Sequence, residues 1–136
     1  MVKYLTEDEI LYIHCDIMET HQEPESQIGV KYPDKFKAML ERPKSGFGDF
    51  EFYPCIIEKA CCYYHSITRN HIFHNGNKRT GLSVFITFLL INGYEFTMPE
   101  QELEDYTVEL ADNPKYATND CISIMVKELE KYMREF

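Results

Sequence analysis

The segment HIFHNGNKRT, which begins at His71, combines a histidine with two adjacent cations at the predicted start of a long apolar helix. A helix N-terminus carries roughly half a positive charge, so Lys78 and Arg79 are repelled there unless an anion lies among them. Gly76 lets the backbone approach a ligand closely, and Asn77 is a favoured N-cap residue. The free N–H groups of the first helical turn can then bind a phosphate. The pattern predicts an anion site, with His71 as a candidate base.

The overall composition limits the classes of function that fit this chain. Its net charge of −9 argues against direct nucleic-acid binding, which normally requires a basic face. The 136 residues are enough for one domain, residues 1–136, but not for two. The most apolar run, residues 82–91, is about half the ~20 residues that cross a bilayer, so we expect a core helix and no membrane span. The five cysteines have no metal-type spacing, and without a signal peptide we expect reduced thiols in a cytoplasmic protein.

Helical periodicity dominates the rest of the chain. Thr6 and Glu9 form a capping box that starts a helix ending near Thr20. Five further helices are predicted over residues 34–41, from Pro54 to about 69, around 77–92, from Pro99 to about 111, and from 118 or 119 to about 134. Between the second and third helices, Asp49, Phe50, Glu51 and Phe52 alternate with the period of a strand and predict a short extended flap. The fold class is therefore all-α, with about six helices and a flap that precedes a helix-loop-helix around His71.

The motif resembles the signature of one protein family. HIFHNGNKRTG, residues 71–81, is similar to the pattern H-x-F-x-D/N-G/A-N-K-R-T-A/G of the Fic and death-on-curing (Doc) proteins, specifically the Doc toxin branch. The similarity extends upstream through LERPKSGFG and YPCIIEKACCYYHSITRN, and downstream to Tyr94. The resemblance implies an all-α Fic fold, ATP and Mg²⁺ as the donor system, and transfer of part of ATP to a hydroxyl of a target protein.

The resemblance also implies roles for individual residues. His71 matches the family's catalytic base, a role that suits histidine because its side chain exchanges a proton near neutral pH. Phe73 matches a phenylalanine that packs into the core and holds the loop. The nucleotide- and phosphate-binding positions correspond to Gly76, Asn77, Lys78 and Arg79, where a helix start and fixed cations hold phosphate oxygens in line.

Two departures from the family pattern bear on the reaction. Fic proteins that transfer AMP read G-N-G-R-x-x-R, whereas here Lys78 replaces the second glycine and Leu82 the second arginine, which resembles the branch associated with phosphate transfer. Asn75 stands where Asp or Glu commonly holds Mg²⁺. An amide oxygen can coordinate this metal but brings no charge, so Mg²⁺ binding is expected to be weaker or to depend more on ATP.

Three functions remain open at this point. The leading hypothesis is a toxin kinase that phosphorylates a cytosolic protein, elongation factor Tu in the Doc branch, and is restrained by a separate antitoxin. The alternatives are AMP transfer to a protein hydroxyl and a non-catalytic protein that binds a nucleotide or partner. The self-inhibitory pattern S/T-x-x-x-E-G/N of related proteins is absent, so inhibition is expected from another chain. The flap, residues 49–52, is expected to dock the target by strand pairing.

The remaining histidines are expected to act outside the chemistry. His65 lies on the apolar side of its helix and is predicted to be a hydrogen-bonded core residue. His14 and His21 are expected to be structural or solvated. His74 adjoins the catalytic turn at a position that varies in the family, so we assign it no direct role.

Overall fold

Six α-helices form most of the structure, a computed structural model that describes residues 1–136. They are α1 (Glu7–Thr20), α2 (Pro33–Glu41), α3 (Ile56–Arg69), α4 (Asn77–Ile91), α5 (Glu100–Asp112) and α6 (Cys121–Leu129). Four short strands, β1 (Gly46–Phe47), β2 (Phe50–Glu51), β3 (Tyr94–Phe96) and β4 (Met133–Glu135), form two antiparallel pairs. The prediction of an all-α fold with six helices is confirmed.

The capping box predicted at the start of α1 is present. The Glu9 backbone N–H donates to Thr6 Oγ1 at 3.2 Å, and the Thr6 backbone N–H donates to Glu9 Oε1 at 2.9 Å. The capped helix buries Ile10, His14 and Met18, which are spaced four residues apart. This face of α1 therefore carries a histidine into the interior.

Helices α3 and α4 form an antiparallel pair at the centre of the fold. Tyr64 of α3 stacks on Phe85 of α4, with ring centroids 4.6 Å apart, and all side chains of this contact are buried. One turn closer to the connecting loop, a Cβ on Gly81 would overlap Thr68 Oγ1, so glycine permits the close approach of α4 to the end of α3. Because the two helices are packed together, they fix the distance between the two ends of their connecting loop, residues 70–76.

Two predicted helix boundaries were wrong. The last helix ends at Leu129 instead of near residue 134, because residues 133–135 leave it as β4 and pair with β3, with Met133 opposite Phe96. Helix α3 begins at Ile56 and not at Pro54, because the Glu58 side chain accepts a hydrogen bond from the Cys55 backbone N–H at 3.0 Å and caps the helix there.

The extended flap is present as the β1–β2 hairpin, in which Phe47 pairs with Phe50. Its position depends on Lys59, a fully buried lysine in the first turn of α3. The Lys59 ammonium donates to the Pro43 carbonyl at 3.1 Å and to Glu51 Oε1 at 2.8 Å. A buried ammonium needs such partners, so the hairpin is held at the N-terminal end of α3.

All five cysteines are free thiols, as expected from the sequence. Burial is the main cause that raises the pKa of Cys61 well above its usual value and that of Cys62 to about 12, so both remain protonated. No helix of the fold has both the length and the hydrophobicity of a membrane span.

Candidate active site

The loop between α3 and α4 carries the predicted catalytic residue. His71 is exposed and has φ +51°, a left-handed conformation that is uncommon for a residue with a side chain. The next two residues, Ile72 and Phe73, are fully buried. The two buried side chains anchor the loop in the core while His71 faces solvent. The predicted packing role of Phe73 is confirmed. Strained backbone of this kind is often found at functional sites.

An extended segment before α2 braces the buried part of this loop. Val30 forms an antiparallel bridge with Phe73. The Lys31 backbone N–H donates to the Ile72 carbonyl at 2.7 Å, and the His74 backbone N–H donates to the Gly29 carbonyl at 3.1 Å. The loop is therefore held in place by backbone hydrogen bonds from a segment more than forty residues away in the chain.

The buried His14 of α1 contacts the loop, the segment around Gly29 and the start of α4. Its ring stacks on Phe73 with centroids 3.9 Å apart. The Gly29 backbone N–H donates to His14 Nε2 at 3.0 Å, which leaves Nδ1 protonated to donate to Thr80 Oγ1, also at 3.0 Å. Burial, with a smaller contribution from His74, lowers the pKa of His14 to about 4, so the ring is neutral. In the sequence, the sign of this role was that His14 is a polar residue on the apolar face of α1. Helical periodicity alone could not show that this face contacts the loop.

Asn77 does not cap α4 as predicted. Gly76 is the N-cap, with φ +73°, and Asn77 is the first helical residue. The Asn77 side chain instead clamps the loop, because its Oδ1 accepts from the Phe73 backbone N–H at 2.9 Å and its Nδ2 donates to the Phe73 carbonyl at 3.0 Å. These two bonds leave one N–H of Nδ2 and the Asn77 backbone N–H as the donors at this position that a phosphate could use.

The start of α4 has the features of an anion site. The backbone N–H groups of Asn77, Lys78 and Arg79 have no acceptor within the protein. The side chains of Lys78 and Arg79 are exposed beside them. Unpaired N–H groups, fixed cations and the positive end of the helix dipole together favour a bound anion.

This helix start opens into a cleft of about 860 Å³. His71, Lys78 and Arg79 lie on its loop and α4 side. Residues of helix α5 also line the cleft. This helix is joined to the end of α3 because the Arg69 guanidinium donates to the Leu110 carbonyl at 2.9 Å. The acidic residues of the cleft are Glu23, Glu104 and Asp112, and its apolar residues are Leu82, Val108 and Ala111.

Asn75, the predicted metal ligand, lines the cleft. Its Oδ1 accepts from the Gly76 backbone N–H at 2.9 Å, which fixes the orientation of the amide. Its Nδ2 then points to Glu23 Oε2 at 3.5 Å. No group of three or more His, Cys, Asp or Glu side chains forms a ready metal site in this protein. Sequence reasoning overlooked Glu23, which no local pattern connects to the motif.

The structure does not bring the predicted docking flap to this cleft. None of Asp49, Phe50, Glu51 or Phe52 lines it. The hairpin is held at the start of α3, whereas His71 follows the end of that helix, which is about 20 Å long. The segment beside His71 is instead the brace around Gly29 and Val30. Target docking by strand pairing at residues 49–52 stays a prediction, with the hairpin itself outside the cleft.

His65 is a structural residue, as expected. The Arg42 guanidinium donates to His65 Nδ1 at 2.9 Å, and His65 Nε2 donates to the Tyr116 carbonyl at 2.7 Å. Burial is the main cause that lowers the pKa of His65 to about 4. Its two ring nitrogens are both occupied, and it lies outside the cleft.

These elements define a class of helical proteins in which an exposed histidine precedes a cation-bearing helix start. The model of the Fic/DOC family matches residues 4–89, well over half of the chain, and the protein belongs to this family. A similar protein is the toxin Doc of Mycolicibacterium smegmatis (strain ATCC 700084 / mc(2)155), which is 34% identical over 86 residues. The match covers 62% of this chain and 62% of that protein, so the chain matches less than two thirds of its relative's length.

Proposed function

We propose that this protein is a toxin of the Doc type that transfers the γ-phosphate of ATP to a hydroxyl of a target protein. The observation that carries the proposal is that His71 and the unpaired N–H groups of α4 line the same cleft as Lys78 and Arg79. A base and an anion site on one wall are what phosphate transfer requires, because the chemistry depends mainly on positioning and charge. The name of the similar protein, toxin Doc, supports the biological role.

Each residue has a defined task in the proposed reaction. His71 takes the proton from the target hydroxyl as the hydroxyl oxygen bonds to the γ-phosphorus. The bond between the γ-phosphorus and the β–γ bridging oxygen breaks, and ADP is released. Lys78, Arg79 and the adjacent N–H groups stabilise the charge on the phosphate oxygens. The apolar residues Leu82 and Val108 provide a surface for the adenine ring.

Mg²⁺ fits this site only with help from the nucleotide. Asn75 would offer its Oδ1, which already accepts from the Gly76 backbone N–H, and the remaining ligands would be phosphate oxygens and water, as Mg²⁺ commonly prefers. When bound, the cation neutralises phosphate charge and keeps the phosphate chain in one geometry.

The experiment compares ATP labelled at the γ-phosphate with ATP labelled at the α-phosphate, using cell lysate and purified elongation factor Tu as acceptors. We expect label to reach protein only from the γ-phosphate. Transfer of the α-label would establish AMP transfer instead. Failure of both labels, with folded protein and Mg²⁺ present, would refute the proposed catalytic function.

The role of His71 is tested by replacing it while preserving the backbone. Asparagine adopts the left-handed conformation readily, so His71→Asn keeps the loop better than His71→Ala. We expect both variants to fold and to transfer phosphate about 10²–10⁴-fold more slowly. His74→Ala, which alters an exposed histidine three residues away, is the matched control. A folded His71→Asn protein with near wild-type turnover would contradict the mechanism.

We further propose that a separate antitoxin restrains the protein. The cleft around His71 is open, and none of its lining residues forms an internal inhibitory helix across it. Expression of the chain alone should arrest growth, and coexpression of the partner should restore growth through a stable complex. Healthy cells that express active, folded protein without any partner would contradict the toxin role.

A further inference from the structure

Two buried threonines line the cleft, and they differ in whether their hydroxyl groups are satisfied. Thr68 of α3 and Thr107 of α5 have exposures of 2% and 4%. The Thr107 hydroxyl donates to the Leu103 carbonyl at 2.8 Å and accepts from the Tyr64 hydroxyl, so it is bonded within the protein. Thr68 Oγ1 has no hydrogen-bond partner. Buried polar groups are almost always bonded, so the fold alone does not account for this hydroxyl.

The position of Thr68 is fixed by contacts on both sides of it. Tyr64, one turn earlier in α3, and Arg69, the next residue, both form hydrogen bonds to α5. On the α4 side, a Cβ on Gly81 would overlap Thr68 Oγ1, so glycine keeps a side chain off this hydroxyl. Thr68 therefore lies where α3, α4 and α5 meet, with the cleft beside it.

The charges of the cleft determine which part of a nucleotide lies near Thr68. The cations Lys78 and Arg79 and the unpaired N–H groups are at the start of α4, so phosphates are expected to bind there. Glu104 and Asp112 of α5 line the same cleft and form no ion pair within the protein. Their charges repel phosphate from α5. The uncharged nucleoside is therefore the part of the nucleotide that extends between α4 and α5.

The surface next to Thr68 has the character of a nucleobase site. Leu82 lies one turn beyond Lys78, about 6 Å further along α4, and Val108 and Ala111 of α5 add apolar surface. Small-molecule sites usually combine such surface with a few polar groups that fix the orientation of the ligand. The edge of a purine ring carries both donors and acceptors, and a hydroxyl can serve either because it donates and accepts.

We propose that Thr68 orients the nucleobase of the phosphate donor, through a hydroxyl that is unsatisfied in the free protein and hydrogen-bonds to the polar edge of the base. The inference rests on the proposed function, since it requires a nucleotide with its phosphates at the α4 start. Threonine in a helix has two accessible χ1 rotamers, so the hydroxyl can turn from Gly81 to the cleft when the base supplies a partner. This assigns a specificity role to a residue of α3, outside the motif.

The test separates binding of the nucleoside from binding of the phosphates. Affinities for a non-hydrolysable ATP analogue and for inorganic tripolyphosphate are measured by calorimetry with Mg²⁺, and their ratio gives the contribution of the nucleoside. We expect Thr68→Val, which replaces the hydroxyl with a methyl group, to lower this ratio about 3- to 10-fold, as for the loss of one neutral hydrogen bond. The affinity for tripolyphosphate should not change. Thr107→Val is the matched control and should keep the ratio, because its hydroxyl is already bonded within the protein.

Stability in urea provides a second measurement, for which the two substitutions should have opposite effects. Thr68→Val removes an unsatisfied buried hydroxyl and should raise the midpoint of unfolding. Thr107→Val leaves the Tyr64 hydroxyl without its partner and should lower the midpoint. An unchanged or lower midpoint for Thr68→Val would show that this hydroxyl is already satisfied in the free protein, and the inference would be wrong.

The binding results also separate failure of this inference from failure of the proposed function. If Thr68→Val keeps the wild-type ratio of affinities, Thr68 does not contact the base and the inference is wrong. If the wild-type protein binds the ATP analogue no better than tripolyphosphate, the inference is wrong although the anion site stands. If the wild-type protein binds neither ligand, the proposed function itself is refuted.

Discussion

Replacing His14 should change how the stability of the protein depends on pH. His14 is fully buried, and its pKa is lowered from 6.5 to about 4 by burial and by His74. The unfolded chain therefore binds a proton more readily than the folded protein does between these two values. Stability from this residue is complete above pH 6.5 and decreases as the pH falls toward 4.

The size of the effect follows from the pKa difference. A change from 6.5 to about 4 is about 2.5 units, and each unit corresponds to about 1.4 kcal/mol, which gives about 3 kcal/mol for His14. Protonation at Nε2 also removes the acceptor for the Gly29 backbone N–H, which loosens the brace on His74. Acid should therefore weaken both the global fold and the loop that carries His71.

The assay is urea unfolding, monitored by circular dichroism, of wild type and His14→Gln at several pH values. Above pH 6.5 the variant should be less stable, because Gln cannot reproduce both hydrogen bonds and the stacking on Phe73. The stability difference should shrink by about 3 kcal/mol as the pH approaches 4. His65 titrates over the same range in both proteins and cancels in this difference. His21→Gln, at an exposed histidine, is the control, and a stability difference for His14→Gln that does not vary with pH would refute the reasoning.

Four further substitutions test the anion site and its supports. Lys78→Ala and Arg79→Ala should weaken ATP binding. They should leave the melting temperature unchanged or slightly higher, because they relieve repulsion with the helix dipole. A lower melting temperature with normal ATP affinity in calorimetry would show that these cations stabilise the fold and do not bind the nucleotide. Asn77→Ala should lose about 2 kcal/mol of stability with its two hydrogen bonds to Phe73, and unfolding curves identical to wild type would contradict the clamp. Gly76→Ala should cost about 1–2 kcal/mol for a side chain at φ +73°, and an unchanged denaturation midpoint would show that the turn does not require glycine.

Local sequence patterns were sufficient for the helices and for the identity of the motif. The capping box at Thr6 and Glu9 and the helical periodicity depend on residues three or four apart, so the chain reveals them without tertiary information. The motif from His71 to Arg79 is contiguous, and its cations at a helix start indicated an anion site directly. The alternating residues 49–52 also predicted the hairpin, but the sequence did not indicate how far it lies from His71.

The features that only the tertiary structure decided all join distant parts of the chain. The β3–β4 pair forms because the turn at Gly93 brings residues 94–96 alongside the chain end, which no local periodicity specifies. His14 reached the motif because α1 packs on α4, and Glu23 reached Arg79 because α1 ends on the loop. The sequence by itself determined which residues could form the site, since residue types and short spacings are local. Only packing decided which carboxylate and which histidine support it, because contacts between distant segments depend on how the helices assemble.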